Sequence, residues 1–120
     1  MSESKPSIFV VDDDEAVRKA LRRLITSVGY CVKTFASAQE FLDSVPNDAE
    51  GFLILDVIMP QISGFQLQEI LLAKGSKLKV IFITAHAQNG DCERAMSRGT
   101  VAFLEKPFND QELIDLFNTE

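Results

Sequence analysis

The stretch Ile8-Phe9-Val10-Val11-Asp12-Asp13-Asp14 decides the fold of this chain. Its first four residues are apolar and mostly β-branched, which predicts a strand buried on both faces of a sheet. Three carboxylates follow where that strand ends, and the last of them is interpreted as the cap of a helix. Apolar residues then recur at steps of three and four, which predicts one buried helix face. These residues are Val17, Ala20, Leu21, Leu24, Ile25 and Val28. Gly29 follows as a helix stop.

The same strand-and-helix unit recurs along the rest of the chain. Further strands are predicted over residues 31–35, 52–55, 79–83 and 101–104. Further helices are predicted from Ser37 to near Pro46, over residues 65–73, up to about Arg98, and from Asn109 through Phe117. Ser37 with Glu40, and Asn109 with Glu112, have the three-residue spacing of a capping box. Five alternations of apolar strand and helix predict an α/β fold with a parallel sheet covered on both faces.

Length and composition predict one domain in a reducing compartment. The chain has 120 residues, of which 46% are hydrophobic and 25% charged. Residues 1–6 are predicted to be a flexible N-terminal tail, and residues 7–120 the domain. No apolar run is long enough to cross a membrane, and the two cysteines cannot form a disulfide framework, so a cytoplasmic setting is predicted. The net charge of −6 argues against direct binding of nucleic acid by this segment.

Polar side chains follow four of the five predicted strands at the point where each strand ends. Asp12 and Asp13 follow the first strand, Asp56 the third, Thr84 the fourth and Lys106 the fifth. In an open parallel sheet, ligands bind outside the carboxyl ends of the strands. A single Asp after a strand is more often a helix cap, and a single Lys before a proline is usually solvated. Their coincidence at one edge of the sheet nevertheless predicts a functional site.

The chemistry of that edge points to a divalent cation and a phosphoryl group. Carboxylates gathered in a dry site repel one another, and a hard cation with oxygen ligands relieves that repulsion. Asp12 and Asp13 are adjacent and suit a Mg²⁺ ion, whereas Asp56 stands alone on a central strand and is assigned as the nucleophile. Lys106 supplies a positive charge for a phosphate oxygen, and the Thr84 hydroxyl supplies a hydrogen bond.

These residues stand in motifs that resemble a known family. The motifs are Val10-Val11-Asp12-Asp13-Asp14, Leu55-Asp56-Val57-Ile58-Met59-Pro60 with Ser63-Gly64, Ile83-Thr84-Ala85, and Phe103-Leu104-Glu105-Lys106-Pro107-Phe108. In order and spacing, the chain resembles the receiver domain of two-component response regulators, in the CheY-like superfamily, over nearly its whole length. Thr84-Ala85-His86 and Glu105-Lys106-Pro107-Phe108 are similar to the FixJ-like branch.

The resemblance implies a fold and a site. The implied fold is a flavodoxin-like (βα)5 three-layer sandwich with strand order 2-1-3-4-5, an order for which a receiver is a known example. It implies that Asp56 accepts a phosphoryl group from a sensor histidine kinase. It places Mg²⁺, for which Mn²⁺ can substitute, on Asp13, Asp56 and the backbone carbonyl of Ile58, with Asp12 acting through water. It places the phosphoryl oxygens against Thr84, Ala85 and Lys106.

The resemblance also implies a switch. Thr84 would move toward the phosphoryl group and Phe103 would turn inward behind it, changing the surface of the fourth helix, fifth strand and fifth helix. An output domain or protein target would read that surface, and a phosphorylation-dependent homodimer would form through it. Such a domain is not an enzyme beyond its own phosphotransfer and dephosphorylation. Phe103 stands where Tyr is frequent, and Thr100 where Ala is common. Ile58 and His86 are expected to control the access of water and so the rate at which the phosphoryl group is hydrolysed.

Three alternatives remain open at this stage. In a phosphohydrolase of the haloacid dehalogenase type, Asp12 would be the nucleophile, but Ala16 stands where that family prefers Thr or Val. A receiver-like scaffold would bind partners without being phosphorylated, but it would be expected to lack Asp56 or Lys106. A flavin-binding module is disfavoured because no phosphate-cradling loop follows the first strand. The chain is expected to be a receiver excised from a longer regulator, with a helix-turn-helix output domain as one candidate. A stand-alone receiver is the alternative.

Overall fold

The computed structural model describes residues 6–85, 90–97, 99–106 and 108–118, in which strands and helices alternate five times. The strands are β1 (Ile8–Val11), β2 (Val32–Phe35), β3 (Phe52–Asp56), β4 (Lys79–Thr84) and β5 (Ala102–Glu105). The helices are α1 (Glu15–Ser27), α2 (Ala38–Ser44), α3 (Gly64–Ala73), α4 (Asp91–Met96) and α5 (Asp110–Phe117). The predicted α/β class and element order are therefore confirmed.

All five strands form one parallel sheet in the order β2-β1-β3-β4-β5. One apolar cluster packs α2, α3 and α4 on one face, through residues such as Phe41, Leu67 and Ala95. A second cluster packs α1 and α5 on the other face, through residues such as Ile25 and Leu113. The predicted three-layer flavodoxin-like sandwich is confirmed, because strands buried on both faces need a helical layer on each side.

Local capping signals define where the helices begin and end. The Asp14 carboxylate accepts a hydrogen bond from the Ala16 amide at 2.9 Å, as expected of a helix cap. Asn109 and Glu112 form the predicted capping box at the start of α5. Gly29 adopts a φ of 93° just beyond α1, a left-handed conformation that favours glycine. These signals act over a few residues, so they are visible in the sequence.

A few predicted boundaries and one predicted burial are wrong. Ala20 is exposed, because it lies about 100° around the helix from the buried Leu21, on the side away from Ile25. β2 begins one residue later than predicted, although the Cys31 carbonyl still accepts the Ile8 amide at 3.0 Å. β5 is displaced by one residue, so that Glu105 pairs with Thr84. α4 ends at Met96, short of the predicted end at Arg98, and Arg98 lies outside the described residues.

No described helix is long and apolar enough to cross a membrane. Residues 1–5 of the predicted N-terminal tail and His86 lie outside the described residues.

Candidate functional site

The carboxylates of Asp12 and Asp56 lie side by side at the carboxyl edge of the sheet. β1 and β3 are neighbours in parallel register, with Val11 paired to Leu55, so the next residue on each strand reaches the same edge. Asp12 is completely buried and Asp56 is only 7% exposed. The strand register, which is set by apolar residues inside the sheet, therefore brings two acidic groups together in a site with little water.

Lys106 reaches the same point from the end of β5. Its ammonium lies 3.1 Å from Asp12 Oδ2 and 3.9 Å from Asp56 Oδ2, and its side chain is 20% exposed. Its amide donates a hydrogen bond to the Thr84 carbonyl at 2.8 Å, which holds the backbone at the edge of the sheet. The lysine predicted from its position after the fifth strand therefore contacts both buried carboxylates.

The electrostatic environment of Asp56 disfavours its charged form. Burial, and secondly the charge of Asp12, raise the pKa of Asp56 from its ordinary value of 3.8 to about 6. Lys106 and the Ile58 amide, which donates to Asp56 Oδ1 at 3.2 Å, act in the opposite direction but do not cancel the shift. A raised pKa in a carboxylate pair marks a site that gains from a further positive charge.

Asp13 completes a cluster that fits a divalent cation. One carboxylate oxygen from each of Asp12, Asp13 and Asp56 lies within 4.8 Å of the others, and Asp13 is exposed. If all three carboxylates are ionised, their negative charge exceeds by two the positive charge of Lys106, which contacts Asp12 and Asp56. An oxygen-only site that opens to solvent suits Mg²⁺, which retains several waters when bound to proteins. The residues present therefore fit the predicted ion.

The other predicted site residues lie around this cluster. Thr84 is 1% exposed and follows Ile83, which pairs with Asp56 across the β3–β4 ladder. Ala85 comes next and is exposed. Ile58 is 52% exposed, two residues beyond Asp56, and its amide donates to Asp56 Oδ1 at 3.2 Å. The structure thus gathers these three residues at the edge that carries the carboxylates.

Phe103 lies apart from the carboxylates, inside the β5 strand. It is partly buried against the cluster beneath α2, α3 and α4, and its ring centroid is 6.3 Å from that of Phe82. Phe82 in turn packs against Phe65 at 5.0 Å. The predicted switch residue therefore contacts the core through aromatic neighbours on the adjacent strand and on α3.

Two residues that support the site were missed as site residues by the sequence analysis. Arg18 on α1 donates a hydrogen bond from Nη1 to the Asp12 carbonyl at 2.7 Å. Gly64, at the start of α3, crosses so close to Asp56 that an added Cβ would overlap the Asp56 carbonyl oxygen. The Gly64 amide also donates to the Val57 carbonyl at 2.9 Å. Gly64 lies in a quoted motif, but no local signal identifies Arg18, because an arginine in an amphipathic helix is usually solvated.

Comparisons with known proteins agree with this geometry. A family model described as the response regulator receiver domain matches residues 8–118. The transcriptional regulatory protein TdiR of Thauera aromatica is 40% identical over 112 residues, which make up 93% of this chain and 49% of TdiR. This chain therefore spans about half the length of that relative.

Solved structures show the same relationship. The response regulator StyR superposes with a TM-score of 0.88 at 45% identity, over 95% of this chain and 58% of that one. FixJ-N superposes with a TM-score of 0.84 at 36% identity, over 97% of this chain and 91% of that one. With matching motifs, sheet order and acidic edge, the chain belongs to the response regulator receiver domain family of two-component systems, in its FixJ-like branch.

Proposed function

We propose that Asp56 accepts a phosphoryl group from a sensor histidine kinase, with Mg²⁺ bound beside it, and that the modified domain signals to an output domain or protein target. The observation that carries the proposal is the buried Asp12–Asp56 pair facing Lys106, with Asp13 at its open side. Negative charge exceeds positive charge there, which suits a site that binds a cation and then a phosphoryl group.

The contacts of the two buried carboxylates favour Asp56 as the nucleophile. Both oxygens of Asp12 are engaged, Oδ1 by the Asp14 amide at 2.9 Å and Oδ2 by Lys106 at 3.1 Å. Lys106 lies farther from Asp56, at 3.9 Å from its Oδ2. Asp56 also retains some exposure, whereas Asp12 has none. An incoming phosphorus atom would therefore meet Asp56 first, which disfavours the alternative in which Asp12 is the nucleophile.

The proposed step exchanges one bond to phosphorus for another. An oxygen of the Asp56 carboxylate bonds to phosphorus while the bond to the kinase histidine nitrogen breaks, and the leaving imidazole keeps the electron pair and takes a proton. Lys106 attracts a phosphoryl oxygen, and the Thr84 hydroxyl and the Ala85 amide hold the others. Bound Mg²⁺, or Mn²⁺, would be held by Asp13, Asp56 and the Ile58 carbonyl, with Asp12 acting through water, and would neutralise phosphoryl charge. Activity beyond this transfer and the hydrolysis of the resulting aspartyl phosphate by water is not proposed.

The proposed signal passes from Thr84 to Phe103. A new phosphoryl group adds charge and acceptor oxygens next to Thr84, and movement of that side chain leaves space in the adjoining core. Phe103 is only partly buried, so it has surface left to bury by turning inward beside Phe82. The surface of α4, β5 and α5 would then change and be read by a partner, including a second copy of the chain. Direct contact of this segment with nucleic acid is not proposed, given its net charge of −6.

The proposed setting is the cytoplasm. Cys31 and Cys92 are both free and exposed, which suits a compartment that keeps thiols reduced.

Intact mass spectrometry after incubation with acetyl phosphate tests the acceptor. The wild type should gain one phosphoryl group in a Mg²⁺-dependent manner, and Asp56→Asn should gain none. Asp48→Asn, an exposed change of the same type in a surface loop, is the matched control and should be labelled like wild type.

Other outcomes would replace the proposal. A wild-type protein that binds Mg²⁺ but remains unlabelled would support a scaffold that works without phosphorylation. Labelling of Asp56→Asn at the wild-type rate would move the acceptor to another carboxylate, beginning with Asp12.

A further inference from the structure

Arg18 makes a short, charge-assisted contact with the backbone of the acidic edge. It lies in the second turn of α1, is partly buried, and donates from Nη1 to the Asp12 carbonyl oxygen at 2.7 Å. Hydrogen bonds with one charged partner are shorter and stronger than neutral ones. The guanidinium approaches the backbone rather than a carboxylate, so its role differs from the charge neutralisation supplied by Lys106.

The contact fixes the peptide that connects the two acidic residues of the loop. The Asp12 carbonyl belongs to the planar peptide unit that ends at the Asp13 Cα, so holding the oxygen holds the whole unit. The Asp12 amide is already bound to the Phe35 carbonyl at 3.2 Å, and Asp12 Oδ1 to the Asp14 amide at 2.9 Å. Arg18 thereby adds a third anchor, and Asp13 leaves the sheet in a fixed direction.

We infer that Arg18 is a positioning residue for cation binding, orienting the Asp12–Asp13 peptide so that the exposed Asp13 carboxylate faces Asp56. This inference rests on the proposed function, because it concerns the affinity of the Mg²⁺ site. Partners that orient the ligands of a metal typically account for about 10- to 100-fold in metal affinity. An arginine that merely covers the helix with its aliphatic stem would contribute nothing to that affinity.

The direction in which Mg²⁺ affinity changes when Arg18 is replaced distinguishes a positioning role from a purely electrostatic one. Removing a positive charge near an anionic site should by itself tighten cation binding, because repulsion of the incoming ion falls. Loss of an anchor should weaken binding despite the same loss of charge. Arg22 lies one helical turn further along α1 and is exposed, so it provides the same change of charge without the carbonyl contact.

Mg²⁺ titration followed by two-dimensional NMR compares wild type, Arg18→Met, Arg22→Met and Arg18→Lys. We expect Arg18→Met to bind Mg²⁺ about tenfold more weakly than wild type, with the amides of the Asp12–Asp14 loop shifted before any ion is added. Arg22→Met should bind as tightly as wild type or slightly tighter. Arg18→Lys retains a charged donor and should recover most of the affinity. At saturating Mg²⁺, Arg18→Met should be labelled by acetyl phosphate at the same rate as wild type.

Mg²⁺ affinity in Arg18→Met equal to or above that of Arg22→Met would overturn the inference. Arg18→Gln, also neutral and shorter than arginine, gives the same comparison if the methionine variant does not fold. Failure of the proposed function would look different, because wild type itself would then fail to bind Mg²⁺ or to accept a phosphoryl group.

Discussion

Two pairs of buried polar side chains, one charged and one neutral, behave in opposite ways. At the carboxyl edge of the sheet, Asp12 and Asp56 share one lysine and retain excess negative charge. Between α3 and the segment before β5, the Gln68 amide donates to the Thr100 hydroxyl at 2.8 Å, and both residues are buried and neutral. Burial raises the pKa of Asp56 to about 6, whereas the Gln68–Thr100 pair carries no charge to relieve. The comparison distinguishes a charged site with excess negative charge, which favours a cation, from a neutral hydrogen bond that joins α3 to the segment before β5.

The largest effect is expected from removing the only lysine seen to contact both buried carboxylates in the described part of the chain. Lys106→Met should slow labelling by acetyl phosphate about 100-fold at saturating Mg²⁺, because a positive charge aimed at the phosphoryl group is lost. Mg²⁺ should bind at least as tightly as in wild type, since a competing cation has been removed. Rates from a time course of intact mass spectra, with Mg²⁺ titrations alongside, measure both quantities.

Lys33→Met, at an exposed position on β2, is the matched control and should label at the wild-type rate. A Lys106→Met rate within a few-fold of wild type would remove the distinction between the charged edge and an ordinary buried polar contact.

The second largest effect is expected on the pH dependence of protein stability in the absence of Mg²⁺. The folded protein holds a proton on Asp56 up to about pH 6, whereas the unfolded chain releases it near 3.8. The folded state therefore binds more protons in that window, and the contribution of Asp56 to stability falls as pH rises from about 4 to 6. Above about pH 6, the stability lost through Asp56 amounts to about 2–3 kcal/mol, at 1.36 kcal/mol per pKa unit.

Asp56→Asn cannot ionise, so it should be more stable than wild type at about pH 7.5 and should lose that advantage near pH 4.5. Urea unfolding in the presence of a chelator measures the difference at each pH, and Asp48→Asn is the control for an exposed carboxylate. A stability difference between Asp56→Asn and wild type that stays constant across this pH range would mean that folding does not raise the pKa of Asp56.

The smallest effect is expected at the neutral pair. Thr100→Val leaves the buried Gln68 amide without its acceptor and should lower the free energy of unfolding by about 1–2 kcal/mol. The double variant Gln68→Met with Thr100→Val removes donor and acceptor together and should recover most of that loss. Labelling by acetyl phosphate should remain close to wild type in both, in contrast to Lys106→Met.

Urea unfolding of wild type, both single variants and the double variant completes a double-mutant cycle. Additive losses in that cycle would show that the two side chains do not stabilise each other. Slow labelling in the double variant would show that the pair also affects the acidic edge.

The element order could be read from the sequence because its signals are local. Apolar runs of four residues, helical periodicity in α1, and caps such as Asp14 and Asn109 each depend on neighbours a few residues away. The errors also have a local origin, since Ala20 has the three- and four-residue spacing of its neighbours but lies beyond the edge of the buried face. Element ends such as that of α4 shift by a residue or two because the last turns gain little from further hydrogen bonds.

The acidic edge could be located from the sequence, but its energetics could not. The site residues lie at strand ends or just beyond them, and parallel strands place those ends at one edge of the sheet. These residues are Asp12, Asp13, Asp56 and Lys106. The pKa of Asp56 depends on burial and on the distance to Asp12, which neither strand encodes alone. The partial burial of Phe103 likewise depends on Phe82, its partner on the adjacent strand.

The linear pattern of this chain thus establishes its class, its strand and helix order, and the edge where its chemistry gathers. Tertiary structure alone decides that Lys106 contacts Asp12 across 94 residues, that Gln68 meets Thr100 across 32, and that Arg18 turns back to the Asp12 carbonyl. The physical reason is the distance along the chain over which each kind of interaction acts. Periodicity and capping are energies between near neighbours, whereas hydrogen bonds, burial and charge coupling depend on distances that exist only once the sheet has formed.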